Sequence, residues 1–328
     1  MILNERITSK TALYGVIGNP IRHSLSPQIH NTLAQFYGLD MVYTAFLAEA
    51  NQIDSLLKGL FQSGIRGLNV TMPFKETAYQ FADVCCQEVS VLKAANTLVR
   101  KNDGVHAYNT DCGGFLKAFQ IQTGKTFKGL NIAILGSGAT CRTLTYAVAG
   151  QGAKRVTIIS RTADKSKSVA DFYRNHFKND PVENDQAGVC RIEEKKTESC
   201  YVKDDRSENC QAENCEFDGI SYSDEAFKTV TEECDVIINT TPLGLYRDHK
   251  EFPGAVIFRF KPAQYVVDLV YNPKETFFLK SAYQDGAVVI NGLGMLICQA
   301  VSSFELFTDI SVGEKNIMKL LRLLNEYI

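Results

Sequence analysis

Apolar positions along the chain alternate between short unbroken runs and longer stretches spaced by three and four. Residues 13–18 form a short run that predicts a strand. Ser26-Pro27 then opens a helix with Ile29, Leu33 and Phe36 along one face. Residues 42–47 predict a second strand. Ile53, Leu56, Leu57, Leu60 and Phe61 mark a second helix, closed by Gly64, and 65–70 return to a strand. Alternation of this kind predicts an α/β sheet with parallel strands.

A second unit begins near Leu130. Asn131-Ile132-Ala133-Ile134-Leu135 is apolar enough for a parallel strand buried on both faces. Gly136-Ser137-Gly138-Ala139 follows and leads into a helix through Tyr146 and Val148. Further strands are predicted at 155–159, 235–238, 265–269 and 287–290. Helices are predicted at 163–177, 295–307 and 313–327.

The pattern breaks over 178–216. These 39 residues contain four aliphatic side chains, Val182, Val189, Ile192 and Val202. Such a composition cannot bury enough apolar surface to offset its ordering entropy. It is expected as a surface insertion on the second unit. It carries 11 acids and 6 bases, a net −5, so the other 289 residues carry +3 of the chain's −2. The body is therefore mildly basic, which suits small anionic ligands. A pI of about 6.2 argues against a nucleic-acid or polybasic membrane binder. With 328 residues the chain is long enough for two domains.

Ten cysteines are too few for a disulfide scaffold. Cys190, Cys200, Cys210 and Cys215 share the polar stretch, and their spacing matches no common zinc pattern, so no metal site is expected. The first residues lack the apolar core of a signal peptide, and no run reaches the ~18–20 residues of a membrane span. Cytosolic residence with reduced thiols is the expectation.

Gly136-Ser137-Gly138, between a strand and a helix, sits where a dinucleotide fingerprint would. The first glycine permits a tight turn, and the second lets backbone approach a pyrophosphate at the helix N-terminus. The third fingerprint position is Cys141. A tight turn without a ligand is the plain alternative. The next strand ends in Ser160-Arg161-Thr162, where an NAD site would carry an acid for the ribose hydroxyl. Arg161 can take a 2′-phosphate instead, assisted by Ser160 and Thr162, so NADP(H) is expected as cofactor.

Six further segments carry polar chemistry in order: Gly18-Asn19-Pro20-Ile21-Arg22-His23-Ser24-Leu25-Ser26-Pro27, Asn69-Val70-Thr71-Met72-Pro73-Phe74-Lys75, Ala95-Asn96-Thr97, Tyr108-Asn109-Thr110-Asp111, Asn239-Thr240-Thr241-Pro242-Leu243-Gly244 and Gly292-Leu293-Gly294-Met295. With the glycine turn, this ordered set closely resembles the shikimate dehydrogenase family, across almost the whole chain except 178–216. The resemblance implies NADPH-dependent reduction of 3-dehydroshikimate to shikimate, in aromatic amino-acid biosynthesis. It implies an α/β protein of two domains: a substrate-binding domain at 1–110 and a Rossmann-type nucleotide domain at 111–291, with helices at 292–328 returning to the first. Monomer or homodimer are both open, with no nucleic-acid or membrane partner.

By the same resemblance, Lys75 and Asp111 are the catalytic pair. Reducing a ketone creates an alkoxide that needs a proton and a nearby positive charge. Lys75 is assigned as proton donor, with purely electrostatic stabilisation as the alternative. Without the resemblance, Lys75 reads as a surface lysine and Asp111 as a helix N-cap. Ser24 and Ser26 match serines that hold the substrate carboxylate, though Ser26 before Pro27 also reads as an ordinary N-cap. Thr71, Asn96 and Gln299 match hydroxyl-binding positions, and Tyr271 matches a tyrosine near the carboxylate. Gly292 and Met295 match positions beside the nicotinamide, and the backbone at Thr240 lines the nucleotide crevice. Ala139 stands where the family often has a second adjacent glycine, and weakens cofactor binding slightly. His23 and His30 are tempting general acids that the family pattern does not use; solvated or capping roles suit them better.

Two other readings stay open. One is a quinate/shikimate dehydrogenase using NAD or NADP, against which the missing acid and Ser26 both argue. The other is a nucleotide-sensing module without catalysis, against which Lys75 and Asp111 together argue.

Overall fold

The computed structural model describes residues 7–179, 196–198, 211–245 and 258–327. In chain order the elements are β1 (Ala12–Gly18), α1 (Ser26–Tyr37), β2 (Met41–Leu47), α2 (Ile53–Gln62), β3 (Gly67–Val70), α3 (Lys75–Phe81), β4 (Val84–Cys86), α4 (Gln87–Leu92), β5 (Thr97–Lys101) and β6 (Gly104–Tyr108). Then come α5 (Thr110–Thr123), β7 (Asn131–Leu135), α6 (Ala139–Gly150), β8 (Arg155–Ser160), α7 (Ala163–Asn179), β9 (Lys196–Glu198), β10 (Glu216–Ser221), α8 (Ala226–Glu233) and β11 (Val236–Asn239). The chain continues with β12 (Tyr265–Asp268), α9 (Phe277–Gln284), β13 (Val288–Asn291), α10 (Leu293–Thr308) and α11 (Glu314–Tyr327).

Among the described residues, one compact unit takes 7–111, 196–198 and 299–320, and a second takes the rest. The division falls within α5, α10 and α11. Of the last residues, 299–320 group with the first unit and 321–327 with the second.

The first unit is built on a sheet of order β2-β1-β3-β5-β6-β4-β9. Its first three strands are parallel, as the alternation predicts. β5 runs antiparallel to both β3 and β6, so the sheet is mixed rather than parallel. The cause is local: β5 and β6 join through the two residues Asn102-Asp103, and so tight a loop permits only an antiparallel pair. Tyr43, Leu57, Leu68 and Ile17 fill the core against α1 and α2. α1 stops at Gly38, whose left-handed φ of 63° ends the helix.

β9 lies in the polar 178–216 stretch, which was expected on the second unit. It pairs in parallel with β4 at the edge of the first sheet instead. The positions Cys190, Cys200 and Cys210 fall outside the described residues. No disulfide joins the seven described cysteines to one another.

The second unit is an all-parallel sheet of order β10-β8-β7-β11-β12-β13. Counted from its first strand this is 3-2-1-4-5-6, the Rossmann order. Ile132 through Leu135 and Val236 through Ile238 are fully buried, as continuous apolar strands must be when helices cover both faces. The order reverses between β7 and β11, and the crevice outside their carboxyl ends is where such sheets hold ligands. No helix among the described residues is long and apolar enough to cross a membrane.

Candidate active site

In the first unit, Lys75 is the opening residue of α3. Phe74 is buried in the core and its N–H donates to the Thr71 carbonyl at 3.0 Å, which sets the turn. The Lys75 carbonyl accepts from Ala95 N–H at 2.9 Å. So anchored, the Lys75 ammonium donates to Asp111 Oδ2 at 2.5 Å, with side-chain exposures of 19% and 11%. Asp111 lies in the first turn of α5, and its N–H donates to the Asn109 side chain, which is tied in turn to Ala94.

The other Asp111 oxygen is held by Asn96, whose Nδ2 donates at 2.9 Å. Asn96 Oδ1 accepts from Thr110 N–H at 2.8 Å and from the Thr97 hydroxyl at 3.0 Å. Two donors on that oxygen fix the amide so that its nitrogen faces the carboxylate. Thr97 is paired in register with Asn69 on β3. Asn69 Nδ2 donates to Thr97 Oγ1 at 2.9 Å and Ser303 Oγ at 2.8 Å, and its Oδ1 accepts from the Tyr43 hydroxyl at 2.7 Å. A buried polar chain thus runs from Tyr43 to Lys75.

Ser26 does not cap α1. It is the first helical residue, and the helix start has no side-chain cap. Ser24 accepts the Ser26 N–H at 3.3 Å. The two serines at the helix start present hydroxyls suited to a carboxylate. Thr71 is held by Ile17 at 3.0 Å, and Gly18 is needed beside it: a Cβ there would lie 2.2 Å from the Thr71 methyl. Gln299, on α10, belongs to the same unit. His23 is exposed. His30 is neither solvated nor a cap. It is fully buried and stacks on Tyr43 at 4.0 Å, with neither ring nitrogen hydrogen-bonded. Burial pushes its imidazole down to about 3, so it cannot serve as an acid near neutrality.

In the second unit, Gly136 ends β7 with φ +115°, and a Cβ there would lie 2.6 Å from Thr240 Oγ1. Thr240 donates through both N–H and hydroxyl to the Leu135 carbonyl, at 2.9 and 2.7 Å, and so closes the two strand ends together. Gly138 precedes α6 with open space where a side chain would be, and α6 has no side-chain cap. Ser137 is half-buried and Ala139 exposed. Cys141, in the third fingerprint position, is buried with its thiol pushed up to about 12. These features fit a dinucleotide pyrophosphate, which needs bare N–H groups and no intervening side chain. Arg161 and Thr162 are exposed at the end of β8, where no acid stands. Ser160 is turned inward: its hydroxyl donates to the Thr162 carbonyl at 2.9 Å and sits 2.7 Å from Ser166 Oγ. It braces the turn and is not free to bind a phosphate.

Gly292 is required by the protein itself, because a Cβ there would lie 2.0 Å from the Leu269 carbonyl oxygen. Met295 lines a small apolar hollow with Phe115, Phe119, Val267 and Ile290. Tyr271 follows β12 in this unit, and burial raises its phenol. No group of three or more His, Cys, Asp or Glu among the described residues is placed to hold a metal.

Residues 16–98 match the model of the shikimate dehydrogenase substrate-binding domain, and 292–322 that of the shikimate 5′-dehydrogenase C-terminal domain. The NADP(+) shikimate dehydrogenase of Caldanaerobacter subterraneus is 32% identical, covering 92% of this chain and 94% of its own. That of Bacillus subtilis is 33% identical, covering 94% of each. The chain belongs to the shikimate dehydrogenase family. Among solved structures, the shikimate 5-dehydrogenase of Listeria monocytogenes, in complex with shikimate and NAD, is 26% identical with a TM-score of 0.78, covering 97% of this chain and 99% of that one.

Family motifs pointed to Lys75, Asp111, Asn96 and Thr71 by name. They did not assign Tyr43, Asn69, Thr97, Thr110 or Ser303. The signal for the last was present: Ser303 stands four residues after Gln299, on the same helix face.

Proposed function

We propose that this chain is a shikimate dehydrogenase that reduces the ketone of 3-dehydroshikimate to the secondary alcohol of shikimate, reversibly, with NADPH. The observation that carries the reading is the Lys75–Asp111 pair, held in a buried amide and hydroxyl network within the unit that matches the family's substrate-binding model.

NADPH, when bound, supplies the hydride that adds to the carbonyl carbon. Gly136, Ser137, Gly138 and Ala139 would hold its pyrophosphate at the start of α6. Arg161, with Thr162, would hold the 2′-phosphate, since a guanidinium is the matching donor and the site lacks the acid an NAD ribose prefers. As charge develops on the carbonyl oxygen, the Lys75 ammonium stabilises it and passes it a proton, giving the alcohol. Asp111 keeps the ammonium aimed and balances its charge. In the oxidation direction the neutral amine takes the hydroxyl proton back. Ser24 and Ser26 would hold the substrate carboxylate, with Tyr271 beside it, and Thr71, Asn96 and Gln299 its ring hydroxyls, because hydroxyl and amide groups both donate and accept. Gly292 and Met295 would border the nicotinamide. Domains at 1–110, 111–291 and 292–328, cytosolic residence and a monomeric or homodimeric state complete the proposal.

The test follows NADPH oxidation by the purified chain with 3-dehydroshikimate, beside NAD with quinate. Turnover with the first pair, and weaker or none with the second, is expected. Preference for NAD with quinate would replace the substrate assignment. No turnover with either pair would reject an enzyme.

A further inference from the structure

We propose that Ser303 is a positioning residue for the catalytic pair, acting through Thr110 and Asn96 without touching Lys75 or Asp111. The inference rests on the reading of Lys75 and Asp111 above. Ser303 is wholly buried on α10, and its oxygen has four polar neighbours: the Gln299 carbonyl at 3.0 Å, Asn69 Nδ2 at 2.8 Å, Thr97 Oγ1 at 3.0 Å and Thr110 Oγ1 at 3.1 Å. A hydroxyl has one proton and two lone pairs, so these contacts cannot all be equal.

The proton directions follow from the neighbours. The Ser303 hydroxyl donates back along its own helix to Gln299, leaving its lone pairs facing β3 and α5. Asn69 Nδ2 can only donate, and fills one lone pair. The Thr97 proton goes to Asn96 Oδ1. That oxygen also receives the Thr110 N–H, so both its lone pairs are taken. Asn96 Nδ2 spends its two protons on Asp111 Oδ1 and on Thr110 Oγ1, at 2.9 and 3.0 Å. For the Thr110 hydroxyl proton, the nearest acceptor left open is then the second lone pair of Ser303, at 3.1 Å, with the Thr97 hydroxyl oxygen farther off at 3.5 Å.

Without the Ser303 oxygen, the Thr110 proton is drawn to Asn96 Oδ1, already occupied but nearer at 3.2 Å than the Thr97 hydroxyl oxygen at 3.5 Å. A third donor on that oxygen disturbs the amide whose other end holds Asp111. Asn69 Nδ2 loses its shortest acceptor contact at the same time, keeping Thr97 Oγ1 and the Asn96 carbonyl. Ser303 therefore links the helix that carries Gln299 to the orientation of the pair that performs the proton step.

The test uses Ser303→Ala, Thr110→Val, the double variant, and Thr110→Ser, in the full-length chain. Each of the first two is expected to lower kcat about fivefold, leaving the KM for NADPH within about twofold. The double variant is expected to lose less than the product of the two single losses, because both changes break the Ser303–Thr110 bond. Thr110→Ser keeps the hydroxyl and is expected to restore kcat. An independent readout is the rate at which an acylating reagent modifies Lys75, read by peptide mass spectrometry against exposed Lys125. That rate is expected to rise severalfold in Ser303→Ala and Thr110→Val. Losses that multiply in the double variant, or unchanged Lys75 labelling in both single variants, would overturn the proposal. If Ser303→Ala does not fold, the Thr110 pair, which leaves α10 untouched, decides. If the parent chain turns over nothing, the functional reading falls, while the labelling still tests whether Ser303 positions Lys75.

Discussion

The two sheets solve different problems with different materials. In the first unit the proposed reacting groups are side chains, and other side chains hold them: Lys75 by Asp111, Asp111 by Asn96, and Asn96 by Thr97 and Thr110. In the second unit the proposed binding groups are mostly backbone, freed by Gly136 and Gly138 and closed by Thr240 against Leu135. A side-chain network fixes direction, which a proton transfer requires. A backbone cradle fixes shape and dipole, which a pyrophosphate requires. The mixed sheet serves the first purpose because its antiparallel pairing sets Asn69 directly beside Thr97.

The contrast extends to buried titratable groups, and pH breaks it open. His30 in the first unit is neutral in the fold, its imidazole held down to about 3 by burial. Between there and its ordinary value of 6.5 the unfolded chain binds the extra proton, so this group's contribution to stability is whole above pH 6.5 and is lost on acidification. Asp268 in the second unit is also desolvated, which raises its carboxyl to about 6 despite bonds from Asn239, Thr276 and Val270. Between about 4 and 6 it is the folded state that holds the extra proton. Its contribution therefore falls as pH rises through that window. His30→Phe, which keeps the stack on Tyr43, should gain stability relative to the parent by roughly 4 kcal/mol between pH 7 and pH 3. Asp268→Asn should gain in the opposite direction, by roughly 2 kcal/mol between pH 4 and pH 7. Urea unfolding of parent and variants across that range measures both. Differences that stay flat with pH would show that neither group is held as described.

Activity and binding separate the units next. Lys75→Ala should lower kcat by about 10³-fold, within the range for losing a proton donor, and leave the dissociation constant for NADPH unchanged. Gly136→Ala should do the reverse. Its methyl would collide with Thr240 in a left-handed conformation, so NADPH affinity should fall about tenfold or more. Fluorescence titration with NADPH, beside initial rates, compares them. A Lys75→Ala enzyme with normal kcat would end the proposed mechanism.

The same contrast explains what the sequence could disclose. The nucleotide turn is a local pattern of strand, glycines and helix, and it reads off one segment. Strands at 131–135, 155–159, 235–238 and 265–269 were legible because parallel strands buried on both faces are continuously apolar. β10 was not read: it follows the polar stretch directly, and Gly219 interrupts it because the α7 backbone lies where a Cβ would be. The β5–β6 hairpin was missed as well, and with it the mixed sheet. In the catalytic unit, motif resemblance named Lys75 and Asp111. Tyr43 and Ser303 join them only through the fold, since Ser303 lies 234 residues from the Asn69 it accepts from.

The smallest expected effect bears on cofactor choice. Arg161 is exposed at the end of β8, and the hydroxyl expected to assist it, Ser160, is committed to Thr162 and Ser166. In the proposed site, discrimination by this strand end would therefore rest on the Arg161 guanidinium, with the exposed Thr162 beside it. Charge-assisted bonds from guanidinium to phosphate are strong and geometrically specific. Arg161→Ala should raise the KM for NADPH about tenfold and leave that for NADH nearly unchanged, since NADH has no 2′-phosphate to lose. Thr162→Val should shift the same ratio by about twofold, the smaller share of a neutral donor. Ser160→Ala should leave the ratio where it is, and cost stability instead through the loosened turn. Initial rates with both cofactors for the three variants decide the matter. Equal effects of Arg161→Ala on NADPH and NADH would remove Arg161 from the phosphate site, and the selectivity would then have to arise from the backbone cradle itself.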